Sequence, residues 1–234
     1  MALIIALKGP SQSGKSTLAL ALASRIPSNY HVVHTSFSSF VRADLAKWWA
    51  QSGPQVFTDI LPIDIFYRIA AHAHVFSLDT KPEILIEKLA KRPACKASRQ
   101  LQQIWGQDFR RQQDPLYWIK QHMTTHLSDI LDPQCIIIEE SCRQPNEGAY
   151  VHALGGTVID LAPLDPPTPD ELEARQHPVE VVAGTWQGDI RVDMRDYFAG
   201  TPRQKATFLN NIITTINPEW GIHAIQQQTA QLSA

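Results

Sequence analysis

The run Ala2-Leu3-Ile4-Ile5-Ala6-Leu7-Lys8, followed by Gly9-Pro10-Ser11-Gln12-Ser13-Gly14-Lys15-Ser16-Thr17, decides how this chain is read. Its first part is short and nearly continuously apolar, the pattern of a strand buried on both faces of a parallel sheet. Its second part fits G-x-x-x-x-G-K-[ST] and leads into Leu18, Ala21 and Leu22, which recur at helical spacing to about Arg25 before Pro27-Ser28-Asn29 breaks the pattern. Strand, glycine turn and helix in that order are the context in which this motif, the P-loop, has physical meaning. The glycines let backbone N–H groups converge on phosphate oxygens at a helix N-terminus, where the helix dipole adds favourable potential. On this reading Gly9, Ser11, Ser13, Gly14, Lys15, Ser16 and Thr17 hold ATP; Lys15 reaches the β- and γ-phosphates, and the Ser16 hydroxyl coordinates Mg2+.

Downstream, His31 to His34 reads as a second strand and Phe40 to Gln51 as an amphipathic helix carrying Trp48 and Trp49. Residues 52 to 80 show no single pattern. Glu83 to Lys91 and Gln100 to Arg111 read as helices, and Asp114-Pro115 supplies an N-cap and a first-turn proline for a helix to about Leu131. Ile136 to Glu139 is a buried strand, Glu147 to Leu154 a helix, and Gly155-Gly156 a helix stop before a strand at Thr157 to Leu161. Ala162 to Pro178 holds Pro163, Pro166, Pro167, Pro169 and Pro178, so it is neither a central strand nor a long helix but a long loop or lid. A last amphipathic helix spans Pro202 to Ile216, before a Gln-rich, frayed tail. The alternation predicts an α/β fold: a doubly wound, mainly parallel sheet with helices on both faces. It is read as a single P-loop kinase domain over residues 1–234, with a helical acceptor-binding region at about 36–131 and a lid at about 162–180.

Composition narrows the function classes. The 234 residues are 44% hydrophobic and 19% charged, values of a globular chain with a real core. With 21 Lys+Arg against 23 Asp+Glu there is no basic field to hold nucleic acid or an anionic membrane, so any anion site is local. Cys95, Cys135 and Cys142 form no CxxC pair, which argues against a disulfide framework and against a Cys-rich zinc site, and fits a reducing compartment. The opening apolar run is too short for a membrane span and no basic segment precedes it, so a cytoplasmic protein is expected. The partners expected are small nucleotides, with a homodimer left open.

No NKxD stretch for guanine recognition is present, and Ile136-Ile137-Ile138-Glu139-Glu140 carries glutamates where a hydrolase would often place a metal-holding Asp. Phosphoryl transfer to a small molecule is the better class, and it needs arginines for the acceptor's charge. Arg99, Arg110, Arg111 and Arg143 stand near predicted helix ends or after a strand. Arg99 and Arg111 are twelve residues apart, so they grip one phosphate only if the helix breaks near Gly106. Glu140 is either a water-mediated Mg2+ contact or a strand-end Glu paired with an Arg. His122 and His126, at i and i+4, lack the Glu and third ligand of HExxH chemistry and read as surface or capping residues. The tryptophans read mainly as core. Arg175, in the proline-rich stretch, is the candidate for a residue that arrives with lid closure; the alternative is a surface arginine on a linker.

The chain resembles the deoxynucleoside monophosphate kinases found often in phages. Arg99-Gln-Leu-Gln-Gln-Ile-Trp-Gly106-Gln-Asp108-Phe-Arg-Arg111-Gln-Gln-Asp114-Pro115-Leu-Tyr-Trp118 is similar to that family's R-x-L-L-Q-x-x-G-T-D-x-x-R-x-x-D-P-x-x-W. Ser141-Cys142-Arg143-Gln144-Pro145-Asn146-Glu147, with Gly155-Gly156, is similar to D-V-R-F-P-N-E…G-G, and His177-Pro178-Val179-Glu180 to H-x-S-E. The resemblance covers about residues 9 to 180. It implies ATP and Mg2+ as cofactors and a deoxynucleoside monophosphate as acceptor. It also implies that Arg99, Gln103, Asp108, Arg111 and Arg143 line the acceptor pocket, with Trp118 packed nearby. Arg42, an expected substrate-binding residue, ends Phe37-Ser-Ser-Phe-Val-Arg42, in which Ser39 occupies the Asp position of a F-A-D-P-L-K-like stretch. Ser141 stands where the family has Asp, and Gln107 where it has Thr. In roles, Lys15, Arg143 and Arg175 are the expected catalytic residues, and Ser16 and Glu140 the expected metal contacts. A kinase for another small acceptor, or a nucleotide-binding regulator without one, are the alternative functions.

Overall fold

The apolar opening run forms β1 (Leu3–Lys8), buried at every residue after the first. The computed structural model describes residues 1–10, 12–60, 62–73, 84, 87, 96–164, 166 and 178–220. Along the chain follow α1 (Lys15–Ala23), β2 (His31–Thr35), α2 (Phe37–Ile60), α3 (Ile63–Ala73) and α4 (Lys96–Gln103). The last continues as a π-helix (Ile104–Arg110) and returns to α geometry over Arg111–Gln113. Then come α5 (Tyr117–Thr125), α6 (Leu127–Leu131), β3 (Cys135–Cys142), α7 (Pro145–Ala153), β4 (Thr157–Leu161), α8 (Pro178–Gly184), β5 (Ile190–Val192), α9 (Met194–Ala199) and α10 (Pro202–Ile216).

The chain divides into two compact units: Met1–Thr35 with the described residues from His126 onward, and Ser36–Thr125. The first unit holds a five-stranded sheet in the order β2-β3-β1-β4-β5. Every pairing is parallel. Side chains alternate between two apolar faces. Ile5, Leu7, Ile136, Ile138 and Ile159 pack with Leu18, Ala19 and Leu22 of α1 and with Leu209, Ile212 and Ile213 of α10. Ile4, Ala6, Ile137 and Val158 pack on the other face with Ile130 of α6 and Val151 of α7. Burying each Ile or Leu stabilises by about 1.5–3 kcal/mol, so both faces need helices. After β1 the chain crosses to β2 on one side; after β3 it crosses to β4 on the other. The connections leaving the carboxyl ends of β1 and β3 therefore diverge and open a crevice there, the place where open α/β sheets bind ligands.

The second unit is helical. Leu45, Trp49, Ile65, Ile69, Leu101, Ile104, Trp105 and Trp118 are buried. Trp105 lies between Trp48 and Phe109, at ring-centroid distances of 4.7 and 5.0 Å.

Several expectations are corrected. The helix expected at Phe40 to Gln51 runs from Phe37 to Ile60, and α3 falls within the stretch without a clear pattern. The helix expected from Asp114-Pro115 to Leu131 is two helices parted at His126, where the division between units falls. Asp114 does act at the start: its carboxylate accepts the Leu116 N–H at 2.9 Å. His122 is not on the surface; it is 1% exposed, against Phe37 and Phe40. The short β5, α8 and α9 are additions. The helix expected at Glu83 to Lys91 lies outside the described residues except positions 84 and 87, as do Cys95, Arg175 and most of the proposed lid. Among the described residues no helix is long and apolar enough to cross a membrane.

Candidate functional site

The turn between β1 and α1 is held open by backbone geometry that only particular residues allow. Gly9 has φ +146° and Gly14 φ +87°. A Cβ on Gly9 would stand 2.8 Å from the Leu161 carbonyl oxygen and 2.9 Å from Ser13 Oγ. Gln12 adopts φ +62°, a left-handed conformation uncommon for a residue with a side chain. Ser13 is fully buried. The Lys15 ammonium folds back over the turn, donating to the Gly9 carbonyl at 2.9 Å and to that of Pro10. It also lies 3.4 Å from Ser13 Oγ. Gly14 offers α1 no side-chain cap and no acidic residue occupies its first turn, so the N–H groups there present an uncompensated positive potential. Ser16 and Thr17 are exposed beside them. Ser11 lies outside the described residues.

The carboxyl end of β3 shares this end of the sheet, because Lys8 pairs with Cys142 and Ala6 with Glu139. Here the two glutamates separate by strand alternation. Glu140 Oε1 lies 3.3 Å from His34 Nδ1, on β2, and among the described residues no arginine is paired with it. Glu139 is the buried one, 1% exposed; its Oε1 accepts the Ser141 N–H at 2.7 Å and the Ser141 hydroxyl at 3.0 Å. Thus Ser141, in place of an acidic residue, binds a carboxylate two positions earlier. Burial, with the Glu139 charge adding, pushes the Tyr150 hydroxyl up to about 12. Arg143 follows directly. Its N–H and that of Gln144 donate to Glu147 Oε2 at 2.6 and 2.9 Å in the capping box of α7, and its carbonyl accepts the Trp186 indole N–H at 3.1 Å. The backbone at Arg143 is fixed on both sides. Lys8, 5% exposed, donates to Asp160 on β4 at 2.8 Å and lies 5.0 Å over the Trp186 ring. Nothing in the sequence marked Lys8, Asp160 or Trp186; only strand register brings them together.

The remaining expected residues, Arg42, Arg99, Gln103, Asp108, Arg111 and Trp118, belong to the second unit. Gly106 does not break the helix there; it sits inside the π-helix. Arg99 and Arg111 therefore stand near opposite ends of an unbroken rod, about 18 Å apart at ~1.5 Å per residue, too far to share one phosphate. Gln103 Nε2 and Gln107 Oε1 are buried and take no hydrogen bond. Arg111 donates to the Pro115 carbonyl at 3.3 Å, and Arg42 to Ser38 Oγ at 3.0 Å. Asp108 is ion-paired with Arg68 of α3.

Trp118, 1% exposed, is core, and its indole N–H donates to the Gly106 carbonyl at 3.0 Å. Asp44, unmarked in the sequence, anchors the same segment. Its Oδ2 accepts Trp105 Nε1 and Arg110 Nε, both at 2.8 Å, and its Oδ1 accepts the Tyr117 hydroxyl at 3.0 Å. The Arg110 guanidinium lies 4.9 to 5.2 Å from the rings of Trp105, Tyr117 and Phe109. Burial, followed by the Asp44 charge, raises the Tyr117 hydroxyl above its ordinary value.

No family model matches the chain and no curated protein matches it. Among solved structures it is similar to an unliganded sugar kinase from Janibacter sp. HTCC2649, at 14% identity over 94% of this chain and 98% of that one, with a TM-score of 0.38. A likeness at that score carries no argument about substrate or chemistry.

Proposed function

We propose that this chain is an ATP-dependent P-loop kinase that phosphorylates a deoxynucleoside monophosphate to the diphosphate. The observation that carries the reading is the Gly9–Ser16 turn: the G-x-x-x-x-G-K-S sequence, with two positive-φ glycines, at the crevice end of the central strand and opening directly into α1. The turn fits a phosphate chain by steric and electrostatic criteria alike. A Cβ at Gly9 would collide with its lining, and the start of α1 carries no competing carboxylate. Bound Mg2+–ATP would supply the transferable phosphoryl group and a cation for the Ser16 hydroxyl. The N–H groups of the turn bind and orient the donor phosphates. Lys15 exchanges its carbonyl partners for phosphate oxygens, and Arg143, on its fixed backbone, neutralises charge at the transfer point. The acceptor is already a phosphate dianion, so no general base is required.

The deoxynucleotide acceptor rests on the sequence resemblance. Two features of the second unit support it: Arg99 and Arg111 on one continuous helical segment, and between them in sequence the buried Gln103 Nε2 and Gln107 Oε1, which take no hydrogen bond. Those amides offer the donor and acceptor that the edge of a nucleobase complements. The test is ADP release measured across deoxynucleoside and ribonucleoside monophosphates, simple sugars and no acceptor. Release that depends on a deoxynucleoside monophosphate is expected. Release indifferent to any monophosphate would make the chain a nucleotide-binding regulator, and dependence on a sugar would replace the acceptor.

A further inference from the structure

All strands of a parallel sheet begin at the same end, and in the first unit that end lies away from the Gly9–Ser16 turn. Residues there come together that the proposed reaction does not use. β2 begins at His31 and β3 at Cys135, and the two are paired in register, so their side chains leave the sheet on the same face. The chain enters β3 from α6, which packs against that strand and carries Asp129. One ligand atom each from His31, Asp129 and Cys135 lies within 4.8 Å of the others.

An imidazole, a carboxylate and a thiol at that spacing are donors for a borderline-soft dication; the hard cations Mg2+ and Ca2+ prefer oxygen alone. Asp129 is also oriented as metal-binding carboxylates are. Its Oδ2 lies 2.9 Å from His126 Nδ1, leaving the second oxygen for an ion. A carboxylate only accepts, so His126 Nδ1–H donates to it, and the other ring nitrogen, Nε2, lies 3.1 Å from the Thr35 hydroxyl. Asp132 adds negative charge: its Oδ2 is 3.6 Å from His31 Nδ1, and its other oxygen accepts the Gln134 N–H at 2.8 Å.

We propose that His31, Asp129 and Cys135 bind a zinc ion that ties the start of β2 to the α6–β3 connection. Zn2+ binds the thiolate and releases its proton to solvent. Three protein ligands leave the fourth tetrahedral position to water. Because the site is complete only when β2, α6 and β3 are assembled, zinc binding adds to folding stability. The inference is independent of the kinase reading.

The experiment uses the full chain, reduced, chelator-free and without nucleotide. Titration with Co2+ is expected to give near-ultraviolet thiolate-to-cobalt charge-transfer absorption and the strong d–d bands of a four-coordinate site, both displaced by Zn2+. Cys135→Ser loses the charge-transfer band, and Cys142→Ser keeps it. His31→Ala, at a side chain 50% exposed, folds normally and loses at least about 100-fold in Zn2+ affinity. His126→Ala, which only frees Asp129, loses roughly 10- to 100-fold. Zn2+ raises the melting temperature of the native chain and leaves that of His31→Ala unmoved. No charge-transfer band in the native chain, or Zn2+ affinity unchanged in His31→Ala, overturns the proposal; the second outcome decides it even if Cys135→Ser does not fold.

Discussion

In the β1–α1 turn, Gly9 is required twice over: by φ +146°, and by the Leu161 carbonyl 2.8 Å from where a Cβ would stand. In the π-helix, Gly106 lies outside the left-handed region, and what excludes a side chain is Val41 of α2, whose two methyls would both be 3.1 Å away. The first glycine answers to its own backbone as well as to Leu161, and is announced by its motif. The second answers only to packing, against a residue sixty-five positions earlier in the chain. The turn is legible from a local motif. The π segment is a tertiary device, held by Val41, Trp118 and Asp44 from neighbouring helices.

The largest effect that separates the two regions is expected at Lys15. On the proposed function, Lys15→Ala removes the charge that would serve the bound phosphates, so kcat/KM should fall about 10²- to 10³-fold. Stability should fall by only about 1 kcal/mol, for the hydrogen bonds to the turn's carbonyls. Kinetics beside urea unfolding check both halves; undiminished turnover would remove Lys15 from the reaction. Asp44→Asn has the opposite signature. An amide in place of the carboxylate turns its N–H groups either toward both Trp105 and Arg110 or toward the Tyr117 hydroxyl, and in either case removes the charge that pairs Arg110, so stability should drop by about 2–3 kcal/mol. Urea unfolding measures that loss, and near-ultraviolet circular dichroism should show Trp105 loosened. An unchanged midpoint would mean that Asp44 does not hold the π segment.

Gly9→Ala should cost about 1–3 kcal/mol, since its Cβ meets backbone that cannot rotate away and a φ that alanine resists. No compensating substitution of a neighbouring side chain should recover it, because Leu161 acts through its carbonyl. Gly106→Ala is the smallest change. The helix gains about 1 kcal/mol from alanine's propensity and loses roughly 1–3 kcal/mol to crowding on Val41. In a Val41→Ala background the crowding goes, and Gly106→Ala should become neutral or stabilising. A double-mutant cycle with no coupling between these two positions would show that Gly106 serves the π geometry by some other route.

The same division runs through what could be read in advance. β1, β4 and α10 stand where residue patterns predict them. For α10 the reason is visible: Thr201 and Gln204 form a capping box and Pro202 takes the first helical position. The carboxylate at the end of β3 was harder. In a strand buried on both faces, Glu139 and Glu140 look alike, and one residue of register exchanges their surroundings. The sequence singled out Glu140, which pairs with His34, while Glu139 is the residue sealed against Ser141. β5, with three residues, is too short to show any period.

Read alone, the sequence determined the strand–turn–helix around Lys15, the parallel α/β alternation and the ends of α10, because backbone dihedrals, caps and apolar period act over a few neighbouring residues. Only tertiary structure decided that Gly106 widens a helix instead of breaking it. It alone decided that Asp44 gathers Trp105, Arg110 and Tyr117, and that His31 meets Asp129 and Cys135. Those outcomes depend on register and packing between residues far apart in the chain, where the free energy of each contact is set by what stands opposite and not by the residue's own neighbours.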